Sequence, residues 1–201
     1  MKIKKLVLFD FDGVLVDTLI MSYEISKEVD NDLSMPAFKS LFDGNIFHSL
    51  NNHPTIKQHP DFFGRYAEKL REFTIPQSLK DLVRKLREEY QLAIVSAIPT
   101  HLINEILNRE NALFFADVLG GDIHTSKVYK IKILLEKYAI ASQNAVYTTD
   151  TVGDVLEARE CGVKAVAVAW GFQEEATLQK ATPAKIVHTP EALLEAVKEI
   201  L

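Results

Sequence analysis

The chain has 201 residues, enough for one large domain or for a core with a small insert. Hydrophobic residues make up 47% and charged residues 25%, which excludes a disordered or fibrous chain. Lysine and arginine total 23 against 28 acids, for a formal charge of -5, and no basic block interrupts the sequence. Binding to nucleic acid or to an anionic membrane surface is therefore not expected.

Cys161 is the only cysteine, so the chain can form no disulfide within itself and no Cys-rich zinc site, and a reducing, cytoplasmic setting fits best. Lysines precede Leu6, Val7, Leu8 and Phe9 in the manner of a signal peptide, but Asp10 and Asp12 cut the apolar run too short for a signal or a membrane span.

In chain order, the run Ile3 to Phe9 predicts a first strand. The stretch from about Leu19 to Thr74 then shows no strand, two helical pieces at Tyr23 to Val29 and Phe62 to Phe73, and a polar segment from Asn51 to Pro60. Pro76 is expected as the first residue of the next helix, whose apolar stripe is Leu79, Leu82, Val83 and Leu86. A second strand follows at Leu92 to Val95. Helical stripes then recur at Ile103, Ile106 and Leu107, and at Ile131, Leu134, Leu135 and Tyr138. Strands are expected at Ala145 to Tyr147 and Ala165 to Trp170, and a last helix carries Leu193, Leu194 and Val197. The strands are continuously apolar rather than alternating, as in parallel sheets covered on both faces. Strand and helix alternate, so the fold class is α/β: a parallel sheet flanked by helices, with a helical insert after the first strand.

Charge appears abruptly where the first apolar run stops, at Asp10-Phe11-Asp12-Gly13-Val14. Open α/β sheets bind ligands outside the carboxyl ends of their strands. Two acids two residues apart beside a glycine can share one divalent cation or divide nucleophilic and proton-transfer work. The alternative is a pair of turn acids, for which Asp-Gly is a common signal. Other segments weigh against it: Leu92 to Val95 runs into Ser96, Ala145 to Thr149 runs into Asp150 with Asp154 four residues on, and Lys127 opens a helix between them. All would converge on one edge of the sheet.

With these residues in place, the sequence resembles the haloacid dehalogenase superfamily of phosphotransferases and hydrolases over nearly its whole length. The family's first motif, Asp-x-Asp-Gly-Thr/Val, stands at Asp10 to Val14, a string expected by chance in roughly one in a hundred chains of this length. Its second motif matches Ser96, its third Lys127 (with Lys130 as a second candidate), and its fourth Asp150 and Asp154. Two positions depart: Thr149 replaces the usual glycine before Asp150, where it is expected to crowd the loop, and Ala97 follows Ser96 in place of a frequent Asn. The resemblance implies a Rossmann-like core over residues 1–17 and 76–201, with a small helical cap over 18–75 like that of the phosphoglycolate phosphatase and β-phosphoglucomutase branch.

The resemblance also implies roles. Asp10 would be the nucleophile that forms an aspartyl phosphate. Asp12 would protonate the leaving oxygen and then activate water, while Ser96 and Lys127 would bind the phosphoryl group. Mg²⁺ would be held by Asp10, the Asp12 carbonyl and Asp150, with Asp154 acting through water or by orienting the others. The dehalogenase branch lacks an acid at the position of Asp12, so phosphoryl chemistry is favoured.

The expected activity is Mg²⁺-dependent hydrolysis of a small phosphorylated metabolite, phosphoglycolate-like or a sugar phosphate. A phosphomutase is the same-fold alternative, with Arg65, Lys69 and Arg71 available for a second phosphate. A non-catalytic phosphate-binding module, motivated by Thr149, is the alternative from another class. Asp43, Gly44, Asn45 and His48 form a bend that either faces the site or merely joins helices. His53 and His59 read as loop residues, Trp170 and Phe172 as packing for the last strand, and Cys161 as a buried thiol. No feature identifies a protein partner.

Overall fold

The computed structural model describes residues 5–53 and 55–201. Ile3 and Lys4, expected in the first strand, and Pro54 lie outside these. Among the described residues six strands form one parallel sheet: β1 (Leu6–Phe9), β2 (Gln91–Val95), β3 (Asp117–Leu119), β4 (Ala145–Thr149), β5 (Lys164–Val168) and β6 (Lys185–Val187), in the order β3-β2-β1-β4-β5-β6. Ten α-helices accompany them. Four, α1 (Leu19–Lys27), α2 (Met35–Ser40), α3 (Ile46–Asn52) and α4 (Phe62–Leu70), lie between β1 and α5 (Gln77–Arg87). The rest are α6 (Thr100–Arg109), α7 (Lys127–Tyr138), α8 (Val152–Glu160), the single turn α9 (Glu175–Leu178) and α10 (Pro190–Ile200).

Side chains alternate across the sheet and divide the core in two. Val7, Phe9, Leu92, Ile94, Val146 and Val166 pack with the stripes of α5, α6 and α10 on one face. Leu6, Leu8, Ala93, Val95, Tyr147 and Ala165 pack with α7 and α8 on the other. The central strands read as unbroken apolar runs because both faces are covered. Leu33, Phe38, Leu41 and Ile56 form a separate small cluster within the helical segment after β1.

The α/β architecture is as the sequence predicts, with local differences. The edge strands β3 and β6 went unpredicted because each is three residues long and largely half-buried, too short for an apolar run to stand out. β5 ends at Val168, so Trp170 lies in the following loop, where its indole N–H donates to Val14 O at 3.2 Å. β5 is also not the last strand. Pro76 caps α5 from outside, with φ -52° and ψ 140°, and the helix begins at Gln77.

Candidate active site

Register in the sheet positions the site. Phe9 stands opposite Thr148, and the Asp10 N–H donates to Thr148 O at 2.8 Å, so the chain leaves β1 beside the end of β4. Both strands end at the point where the strand order reverses, the usual crevice of such sheets. Gly13, at φ +68°, then folds the chain back, its N–H donating to Val16 O at 2.8 Å. A Cβ at Gly13 would lie 1.8 Å from Asp150 Oδ2, and one at Gly171 would lie 2.4 Å from the same atom. Only bare backbone lets two loops close on this carboxylate.

Five of the six expected residues gather here around Lys127. It opens α7, with Ser126 as N-cap, and its Nζ donates to Asp10 Oδ2 at 2.7 Å and to Asp154 Oδ2 at 2.6 Å. Asp154 stands in the first turn of α8 and also accepts from Thr149 Oγ1 at 2.7 Å and Tyr147 OH at 3.3 Å. Asp150 Oδ2 accepts from the Phe172 N–H at 2.7 Å, while its buried Oδ1 has no partner. Asp12 turns its side chain the other way, and its Oδ1 accepts from Thr18 Oγ1 and from Tyr66 OH, both at 2.5 Å.

Ser96 stands one step back. It is fully buried at the end of β2, its Oγ accepts from the Ile98 N–H at 3.1 Å, and Ala97 and Ile98 rather than Ser96 face the cleft. Lys130 points away from the acids, into the carbonyls of Ser96 (2.5 Å) and Gly120 (3.2 Å). Geometry thus separates the two candidate lysines: Lys127 meets the carboxylates and Lys130 ties the ends of β2 and β3.

Electrostatics follow from burial. Burial raises Asp10 well above the ordinary carboxylate range despite the pull of Lys127. Burial acts the same way on Asp154, but the charge of Lys127 and the converging hydrogen bonds outweigh it and hold Asp154 low. For Lys127 the cost of burial is overcome by Asp10 and Asp154, so it stays charged. Burial raises Asp12 against the hydrogen bonds of Thr18 and Tyr66. Asp150 is pushed up to about 7, chiefly by burial.

Thr149 does not crowd its loop. It is the last residue of β4, in extended backbone, and its hydroxyl braces Asp154 and accepts from the Thr151 N–H at 3.3 Å. The position needs no glycine because it needs no left-handed backbone.

The helical segment closes over these acids. Gln173 donates to Asp43 Oδ1 at 2.8 Å and to Lys39 O at 3.2 Å, and Asn45 donates to Glu157 at 3.2 Å and to Thr125 O at 3.0 Å. Gly44 and Asn45 therefore face the cleft, His48 is exposed, and Asn45 also caps α3 through the His48 N–H. Phe172 packs edge-on against Phe42 at 5.0 Å, so it joins the two parts of the cleft rather than packing a last strand. His53 accepts from the Ile56 N–H in its own loop, and His59 lies 3.4 Å from Glu28. Cys161 is half-buried, its thiol pushed up to about 11 by burial.

Tyr66, Thr18, Thr149, Glu157 and Phe172 were not singled out by sequence for the contacts they make. Tyr66 is the clearest case: it lies 54 residues from Asp12, on an ordinary helical stripe, and only the fold brings them together. Arg65, Lys69 and Arg71, considered for a second phosphate, pair instead with Glu28 and Glu68, Glu24 and Glu105, and none lines the cleft. No helix among the described residues is long and apolar enough to cross a membrane.

Comparisons with known proteins bear on the family and the fold. A phosphoglycolate phosphatase of Vibrio parahaemolyticus is 24% identical over 221 aligned positions, covering 96% of each chain. One of Synechococcus elongatus is 26% identical over 208, covering 97% of this chain and 98% of that one. A haloacid dehalogenase-like hydrolase of Streptococcus pneumoniae shares the fold with a TM-score of 0.76 at 24% identity, over 97% of this chain and 99% of its own. The family model for haloacid dehalogenase-like hydrolases matches residues 7–168, from β1 to the end of β5, and the chain belongs to that family.

Proposed function

We propose that the protein is a phosphatase that hydrolyses small phosphate monoesters through an aspartyl phosphate on Asp10. The observation that carries this is the convergence, beneath one cleft, of Asp10 and Asp12 from the end of β1, Lys127 from α7, and Asp150 and Asp154 from the end of β4 and the start of α8. A phosphate ester repels a carboxylate nucleophile, so the site must carry positive charge, and Lys127 supplies one.

A divalent cation fits beside it. The donors are hard oxygens, and the two glycine backbones fix an Asp150 carboxylate whose buried Oδ1 has no protein partner. Among the described residues no three acidic or imidazole side chains converge as a metal cluster, because Asp12 turns to Tyr66 and Asp154 to Lys127. The groups that would hold it are those the family resemblance implies, Asp10, Asp150 and the Asp12 carbonyl, with Asp154 orienting them. Bound there, Mg²⁺ supplies charge to the phosphoryl oxygens.

Asp10 attacks phosphorus. Asp12, raised by burial, holds the proton that the leaving oxygen needs, and the resulting carboxylate then takes a proton from the attacking water. Ser96, fully buried behind Ala97 and Ile98, shapes the phosphoryl end of the cleft through the bond that its Oγ accepts from the Ile98 N–H. Residues 18–75 act as the cap that excludes water. Relatives named phosphoglycolate phosphatase put phosphoglycolate and sugar phosphates in the test panel.

The test is phosphate release by the purified protein with Mg²⁺, beside EDTA-treated and Asp10→Asn samples. Release that needs both metal and Asp10 supports the reading; release that survives Asp10→Asn overturns it. For the mutase reading, none of Arg65, Lys69 and Arg71 lines the cleft, and the bases that do are Lys57 at the rim and His59, which leans on Glu28. With Thr149 bracing Asp154, the non-catalytic reading loses its motive.

A further inference from the structure

The cleft, with the acids in its floor, has a volume of about 390 Å³, in the size range of pockets for drug-sized ligands and far larger than a two-carbon acid requires. Its floor is charged and much of its wall is apolar. Phe42, Phe47, Leu50, Phe62 and Phe63 from the helical segment and Ile98 from the core line it. Beyond Lys127 the cationic or titratable bases on its lining are Lys57, exposed at the rim, and His59, which leans on Glu28. The acids Asp61 and Glu157 also border it. The polar side chains on it are largely engaged: Asn45 is held by Thr125 and Glu157, Ser26 donates to Ser22 O at 3.0 Å, Gln58 donates to Asn51 Oδ1 at 3.2 Å, and Thr151 caps α8.

These walls favour one class of leaving group. A leaving group that carries a carboxylate would lose its water against aromatic rings without a counter-charge. A sugar would leave hydroxyls without partners, which sites discriminate strongly. An apolar ring gains from every face it covers. We propose that the chain's preferred substrates are phosphate monoesters of apolar, ring-bearing alcohols, with the ring held between the α3–α4 side chains and Ile98. This rests on the phosphatase reading above.

The test compares kcat/KM for benzyl phosphate, phosphoglycolate and glucose 6-phosphate with Mg²⁺. All three leave as primary alcohols, so the chemical step is matched and the walls decide. Benzyl phosphate is expected to lead phosphoglycolate by about tenfold or more, the scale of small apolar differences in such pockets. Leu50→Arg and Phe63→Arg, at solvent-reaching positions, should each shrink that lead by about tenfold by giving the carboxylate a partner. Phosphoglycolate or glucose 6-phosphate matching benzyl phosphate would overturn the inference and leave the phosphatase standing. If no ester shows Asp10-dependent turnover, the phosphatase reading fails. Calorimetric binding of benzylphosphonate against phosphonoacetate then decides the cavity's preference: about tenfold tighter benzylphosphonate upholds it, and equal or reversed affinity overturns it.

Discussion

The floor and the roof of the cleft are built by opposite physics. In the floor, Lys127 Nζ lies within 2.7 Å of two buried carboxylates, beside an Asp150 fixed by two glycine approaches. In the roof, partly exposed apolar side chains come from helices of six to nine residues, beside a small separate cluster of four buried residues. A floor of charges tolerates little displacement, since each group's protonation depends on its neighbours. A roof of apolar contacts can be redrawn one side chain at a time. The contrast suggests chemistry held constant below and selection of the leaving group above.

The largest expected effect breaks the floor: Asp10→Asn should reduce kcat by more than about 10³-fold while the protein stays folded. Steady-state phosphate release with circular dichroism checks both parts. Lys127→Met comes next. It leaves Asp154 buried without its counter-charge and lets burial raise Asp10 further, and stability at neutral pH should drop by about 3–5 kcal/mol, read by denaturant unfolding. An unchanged midpoint would show that the floor does not depend on its cation.

Tyr66→Phe tests a hydrogen bond that joins roof to floor chemistry. Tyr66 OH helps hold the Asp12 carboxyl down, so its loss should move the kinetic limb that reports Asp12 to higher pH and cost about tenfold in kcat. A pH–rate profile identical to wild type would make Tyr66 mere packing. A pH-dependent effect concerns Lys130, which burial and then the charge of Lys127 push down to about 8. The unfolded chain keeps that proton up to about 10.5, so from pH 8 to 10.5 it binds more protons than the folded one, and stability gains with rising pH. Lys130→Met should lack this gain, so the wild-type advantage should widen across that window. A constant difference would contradict the assignment.

Much of the floor was legible in sequence because its parts are local: acids at strand ends and a lysine at a helix start are visible as abrupt changes along the chain. The glycine expected before Asp150 was not needed, since Thr149 sits in extended backbone. The roof was far less legible. α2 and α3 are too short for a period to emerge, and the contact of Tyr66 with Asp12 depends on how α4 packs on α1 and β1 rather than on any neighbour in sequence. β3 and β6 escaped for the same reason of length.

The most direct measurement of the central claim is mass spectrometry of protein quenched with acid during turnover of a phosphate monoester with Mg²⁺. The account predicts one phosphoryl group on the peptide that carries Asp10, absent from Asp10→Asn. Turnover with no phosphoryl group on that peptide, or with one on a different residue, would contradict it.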